Sequence, residues 1–510
     1  MKKIFALCFT GLVMTSGWSQ DIQDALRYSV QDLNGTARFR AMGGAFGAVG
    51  GDLSAISVNP AGSVIFSNNQ AGATLTNFNT TNRTNYFGTQ QRENNNHFDI
   101  NQAGGVLVFV DPLKKSDWNK FAVALNYENT QNLNNSVFLS GVNPNNSIDQ
   151  YFLSFANGRN PSEAVPFGAL NDFSFDELFF NEQQAYLGYN SYIIDPVSNN
   201  PNNTSYFTNI APGGNYAQSF LLNSSGYSSK LSVNGSAQYQ DWLMLGINLN
   251  FHFVDYRQST SFFEANSNPR YPTGSTVDRV RFNNDLYTYG NGFSIQLGAI
   301  FKVHKNARLG LAYQSPTWFR LNDELRQYIA TSGFGLNADA NNTQYNSVVV
   351  DPNVTMIFEP YRLRTADRVT ASGVFLFGKR GLISADISQQ FYQGNTFTPQ
   401  RDFSAENAII DNQLQAATEI RLGTEYKYKQ WSLRGGYRWS ESPYKNHYTM
   451  GNLTTYSGGL GYNFGDTRLD VSYSHGWRNF NQQMFNRGLT DTARSRAVFD
   501  NISVTLLFEL

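Results

Sequence analysis

Five histidines, His97, His252, His304, His447 and His475, carry the widest chemical repertoire in this chain. No two stand at a metal-ligand interval, so no metal centre is expected. The sequence has no G-x-S-x-G nucleophile turn and no phosphate loop ending in G-K-[ST]. A Ser/His pair assembled only by folding, as barrel-embedded phospholipases and proteases use, would leave no linear mark. Inward-facing ions such as Arg421 and Glu425 read as lumen salt bridges rather than as an acid and a base. The expectation is a protein that is not an enzyme and needs no cofactor.

The most unusual stretch is Gly35 to Phe66, GTARFRAMGGAFGAVGGDLSAISVNPAGSVIF. It is too rich in glycine and alanine for a strand, and too apolar for a solvated linker. Gly43, Gly44, Gly47, Gly50 and Gly51 allow tight folding and close approach at an entropic cost, which contacts on several sides must offset. A compact plug enclosed by a larger object meets that condition. Asn59-Pro60-Ala61-Gly62 reads as a turn: Pro60 holds Asn59 extended, and Gly62 is free to take positive φ. Upstream, Asp21 to Ser29 has the apolar spacing of one or two helical turns.

The enclosing object is legible in composition. Charged residues are 15% of the 510, aromatics another 15%, and mean hydropathy is −0.41. After the first 19 residues no run is long and apolar enough for a spanning helix. Lys2-Lys3, the apolar run Ile4 to Met14 and the small residues Gly17 and Ser19 form a signal peptide over 1–19. Cys8, the one cysteine, lies inside that leader in a poor lipobox, so a mature chain has no thiol chemistry. A net charge of −1 gives no nucleic-acid footprint.

From Asn69 onward, period-two segments recur, and about fourteen strands are expected. In Arg421 to Tyr428, Leu422, Thr424, Tyr426 and Tyr428 alternate with Arg421, Gly423, Glu425 and Lys427. The last strand repeats this, with Ile502, Val504, Leu506, Phe508 and Leu510 on one face and Asn501, Ser503, Thr505 and Glu509 on the other. The fold class is all-β: a transmembrane antiparallel barrel whose outer face is apolar and inner face polar. Short turns at every second junction, such as Gln240-Asp241, Lys429-Gln430 and Gly465-Asp466, mark the periplasmic side, and the longer loops between them face outside. The division expected is a hatch over 20–66 and a barrel over 67–510, with one long external loop at about 131–227. Within that loop Ile148 to Phe155 and Phe173 to Leu187 read as helical, Asp172 capping the second. Phe173, Leu178, Phe179 and Tyr186 are its candidate apolar surface, open to three readings: packing on the rim, capture of a hydrophobic ligand, or docking of a partner.

Ala41-Met42-Gly43-Gly44-Ala45, then Asp52, then Asn59-Pro60-Ala61-Gly62 resembles the N-terminal hatch of the FadL/OmpP1/TodX family of outer-membrane transporters, in the form common among Bacteroidetes-type bacteria. PorV-like proteins of the type IX secretion apparatus share the signature. The resemblance implies an outer-membrane protein that takes up hydrophobic compounds such as long-chain fatty acids passively, through a hatch-gated barrel with a lateral exit. It assigns Asn59, Pro60, Ala61 and Gly62 to the hatch framework, Asp52 to an acceptor role within it, and the Gly43 to Gly51 run to its mobile part. The partners implied are outer-membrane lipid, a hydrophobic small molecule and the barrel-assembly machinery that reads the last strand. The alternative is an accessory or scaffold subunit of a larger outer-membrane complex, reached by other proteins through the long loop.

Overall fold

The computed structural model describes residues 20–113, 116–337 and 344–510; the expected leader, Cys8 included, lies outside them. The chain closes into a barrel of fourteen antiparallel strands. The first six are β1 (Gln70–Tyr86), β2 (Thr89–Val110), β3 (Trp118–Asn132, continued by Asn135–Asn143), β4 (Tyr216–Tyr239), β5 (Leu243–Ala265) and β6 (Thr276–His304). Next come β7 (Ala307–Gln314 and Trp318–Phe334), β8 (Tyr345–Val350, Thr355–Ile357, Tyr361–Arg364 and Arg368–Leu376) and β9 (Gly381–Phe391). The last five are β10 (Ala416–Tyr428), β11 (Trp431–Ser440), β12 (Met450–Asn463), β13 (Thr467–Gln483) and β14 (Thr492–Glu509). β14 pairs with β1 from Gln70 opposite Glu509 to Asn85 opposite Arg494, which closes the wall.

Alternation decides which way each strand faces. On β14, Ile502, Val504, Leu506 and Phe508 are exposed while Ser503 and Thr505 are buried. On β10, Leu422 and Tyr426 are exposed while Arg421 and Glu425 are buried. Pro316, which lacks an N–H, sits in the break of β7, and parity switches across it: Leu309, Leu311 and Tyr313 face out before it, Trp318 and Arg320 after it.

The junctions at Gln240–Trp242, Lys305-Asn306, Lys429-Gln430 and Phe464–Asp466 are short, as expected. The first junction of the opposite side is not a longer loop. It is a tight hairpin through Phe87 and Gly88, both at positive φ. β2 therefore begins at Thr89, well above its lipid-facing stretch, where Gln90 to Asn96 are polar on both faces. The large external connection is also narrower than the sequence reading: Asn135–Asn143 still pairs with Tyr216–Ser224, leaving 144–215 as the irregular segment. It folds into α3 (Asp149–Ala156), α4 (Phe167–Asp172) and α5 (Phe180–Asn190), after the hatch helices α1 (Ile22–Arg27) and α2 (Ala37–Ala41). Asp172 ends α4 rather than capping a helix. The Glu182 carboxylate accepts instead from Phe179 N–H (2.9 Å) at the start of α5. Tyr151 and Phe152 of α3 stack against Phe282 and Phe485 of the upper barrel, at ring separations of 4.7–5.8 Å, so this loop caps the mouth.

Candidate functional site

Residues 20–66 fill the lumen as a chain of short capped turns. Asp21 caps α1, accepting from Gln23 N–H (2.8 Å) and Asp24 N–H (3.2 Å). Thr36 caps α2 through Phe39 N–H (3.1 Å), and its own hydroxyl donates to Asp52 (2.7 Å). Asp52 in turn caps the turn Leu53–Ser57, accepting from Ser54 N–H (3.0 Å), and lies 3.8 Å from Arg38. Asn59, extended as Pro60 requires, caps the turn Pro60–Ile65 by accepting from Ala61 N–H (3.1 Å). Its amide donates to Gly47 O (2.8 Å) and to Ala299 O of β6 (3.0 Å). Asp52 and the Asn59–Gly62 turn thus lie in one hydrogen-bonded unit.

Gly43, Gly44, Gly50 and Gly51 adopt positive φ, and Gly47 and Gly62 do not. The expectation for Gly62 is thereby corrected: it is needed for closeness, since a Cβ there would lie 3.2 Å from Gly50 Cα. At Gly47 a Cβ would stand 2.0 Å from Ser372 Oγ of β8.

The barrel answers with glycines of its own, which sequence reasoning missed. A Cβ on Gly298 of β6 would sit 2.0 Å from Asn59 Oδ1, and one on Gly246 of β5 would sit 2.3 Å from the Pro60 carbonyl carbon. Gly310 of β7 faces Gly47 O at 2.5 Å. On another wall, Gly423 of β10, Gly436 of β11 and Gly459 of β12 accept the Ala41–Gly43 backbone in the same way. The signal was present: glycine inside a strand marks a close approach of backbone.

Between these two seats runs a buried ionic chain. Arg38 donates to Glu425 (2.8 Å), Glu425 accepts from Arg434 (3.0 Å), and Arg434 reaches Asp470 (2.7 Å). Glu419 forms a second centre with Arg421 (2.6 Å) and Arg438. Arg421 and Glu425, read as lumen ions, are brought into separate clusters.

Above the hatch lies a cavity of about 390 Å³ between α1, β1, the upper part of β3 and β12–β14. Leu26, Phe78, Val137, Met450 and Phe499 give it apolar walls, and Arg40 and Arg478 give it positive charge. Arg40 is 1% exposed and donates only to neutral groups, Asn34 Oδ1 (3.1 Å) and Ser474 Oγ (3.4 Å); its guanidinium lies over the Phe78 ring at 5.4 Å. Burial brings its pKa down to about 10. Arg478 contacts Met450 Sδ (3.3 Å) and leaves Nε without an acceptor. Neither arginine makes an ion pair among the described residues.

The wall beside this cavity is split. β2 and β3 hydrogen-bond from Gln102 opposite Glu128 down to Val110 opposite Lys120. Above that, residues 89–101 of β2 pair only with β1. β3 is bulged between Asn129 and Gln131 and leans across the inner face of β1, where Asn82 donates to Ser136 O (2.7 Å) and Thr84 to Phe138 O (2.7 Å). One side-chain bond bridges the opening, Asn129 to Asp99 at 2.7 Å.

The four loop residues do not form one surface. Phe173 and Phe179 are each 51% exposed, Leu178 is buried, and Tyr186 packs on Phe175 with ring centroids 5.7 Å apart. Among the described residues no cluster of His, Cys, Asp or Glu could hold a metal ion.

Residues 203–505 match the family model described as outer membrane protein transport protein (OMPP1/FadL/TodX). A search of curated proteins found no match. Among solved structures, the chain is similar to a Pseudomonas aeruginosa FadL homologue, with a TM-score of 0.51 and 13% identity over 94% of this chain and 99% of that one. It is also similar to the P. putida toluene transporter TodX, with a TM-score of 0.50 and 16% identity over 94% and 99% of the two chains. At such identity these likenesses concern the fold.

Proposed function

Because the chain belongs to the OMPP1/FadL/TodX family of outer-membrane transport proteins, we propose that it passively imports hydrophobic compounds carrying an anionic head, such as long-chain fatty acids. Residues 1–19 direct export, 20–66 act as the hatch, and β14 is the strand read by the assembly machinery. The observation that carries the reading is the pairing of apolar walls with two arginines, Arg40 and Arg478, that lack a carboxylate. An acyl chain gains by leaving water for those walls, and a buried guanidinium gains most from a charge-assisted partner. The hatch moves at its Gly43–Gly51 turns, held by Asp52 and Asn59–Gly62, and the ligand leaves sideways where β2 and β3 part. The reaction is transfer between phases, with no bond made or broken.

The experiment compares oleate with oleyl alcohol on the folded, detergent-purified protein. Arg40→Gln with Arg478→Gln is expected to weaken oleate binding by about 10-fold or more, the scale of a lost charge-assisted hydrogen bond, and to leave the alcohol unchanged. Equal oleate affinity in wild type and double variant would remove the anionic head from the account. The exposed Phe173 and Phe179 favour a second reading, docking of another outer-membrane protein on the long loop. Stoichiometric recovery of such a protein from native membranes, with no enriched lipophile, would support it.

A further inference from the structure

The densest unbalanced charge on the described surface lies outside the lumen. Arg83 of β1 stands directly opposite Arg92 of β2 on one side and Arg496 of β14 on the other. Arg494 is one rung higher, opposite Asn85. All four are exposed, while their neighbours Asn82, Thr84, Ser495 and Ala497 are buried, so the arginines share the outer face.

Like charges on directly opposed strand positions repel, because their Cβ atoms lie only about 4.5–5.5 Å apart. Elsewhere in this barrel buried arginines are matched by carboxylates, as at Glu419 and Glu425. Here, among the described residues, none of the four forms an ion pair; Arg496 lies 5.7 Å from the Trp477 ring. The carboxylate on the same wall, Asp500, is already bound by Tyr473 (2.6 Å) and His475 (2.8 Å). Glu93, next to Arg92, points to the other face by alternation. The row lines an open concavity of about 1000 Å³ overhung by His447 and Tyr448. Immediately below it on the same strands run the lipid-facing side chains Leu75, Ile100, Ile502 and Val504.

We propose that this arginine row is a binding site for the phosphate groups of an anionic outer-leaflet lipid, whose acyl chains lie on the apolar wall beneath. Guanidinium groups bind phosphate oxygens in bidentate fashion, and several phosphates on one lipid neutralise a row that no side chain neutralises. The apolar wall directly below selects a lipid over a soluble anion. The inference rests on the barrel standing in the outer membrane and is independent of what it transports.

The test uses the full folded chain in detergent micelles, with diphosphoryl lipid A as the probe, its dephosphorylated form as one control and inorganic pyrophosphate as the other. Lipid phosphorus retained per protein after detergent washing, and Trp477 fluorescence, are the readouts. Wild type is expected to retain the diphosphoryl lipid. Arg83→Gln, Arg92→Gln, Arg494→Gln and Arg496→Gln together are expected to retain about 10-fold less, the scale of lost charge-assisted contacts. The dephosphorylated lipid is expected to wash off both. Should the fourfold variant fail the heat-shift test of a folded barrel, Arg83→Gln with Arg496→Gln takes its place. Equal retention by the variant, or equal retention of the dephosphorylated lipid, overturns the site. Displacement of the lipid by pyrophosphate at comparable concentration reassigns the row to soluble phosphates and also overturns it.

Discussion

Asn59 shows how one side chain can hold a hatch in place. Its amide joins the turn it caps, the glycine run at Gly47 and the barrel wall at Ala299. Asn59→Ala leaves two carbonyls and one N–H to find other partners, at about 1–3 kcal/mol for each left buried without one. Gly298→Ala attacks the same joint from the wall, since its Cβ would stand 2.0 Å from Asn59 Oδ1. Both variants are expected to speed deuterium exchange across residues 36–66. Gly235→Ala, with open space around its Cβ, is expected to leave exchange unchanged. Protection equal in all three would show that the joint does not hold the hatch. From sequence, the Asn59–Gly62 motif and its upstream Asp52 were readable because side-chain capping is a local device. Gly298 was not singled out, because its partner lies on a distant segment and only the closed barrel brings them together.

Among the elements, α1 is the part of the hatch placed to respond to pH. Burial, together with the neighbouring Asp24, lifts the Asp21 carboxyl to about 7. A carboxyl whose folded pKa is raised favours the docked state while protonated. That contribution is full below its ordinary value near 4 and is lost as pH rises through about 7. Exchange of the amides of residues 22–30, corrected for intrinsic rate, is therefore expected to quicken between pH 5 and 8, a window of roughly the size that linkage gives. Asp21→Asn keeps the cap and is expected to abolish the dependence; a dependence that survives it would place the titrating group elsewhere. The strands were legible where one face meets lipid, as in β10 and β14. They were lost above the belt: in β2, Gln90 to Asn96 are polar on both faces, so alternation vanishes while the ladder continues. The hairpin at Phe87-Gly88 was missed for the same reason.

The whole molecule combines a closed wall, a plug seated on glycines and one seam where the wall parts. Fourteen strands and the side of the short turns followed from the sequence, because both depend on period and spacing. The cavity did not, because Arg40 in the hatch and Arg478 on β13 meet only after closure. The central claim is that ligand crosses from that cavity through the seam between β2 and β3. Asp99 and Asn129 span it at 2.7 Å, and the one native cysteine, Cys8, belongs to the expected leader. Asp99→Cys with Asn129→Cys can therefore lock the seam with a disulfide. The measurement is uptake of labelled oleate by cells carrying this double variant, oxidised and then reduced. The account predicts uptake at the background rate when oxidised and restored on reduction. Uptake as fast with the seam locked as with it open would contradict it.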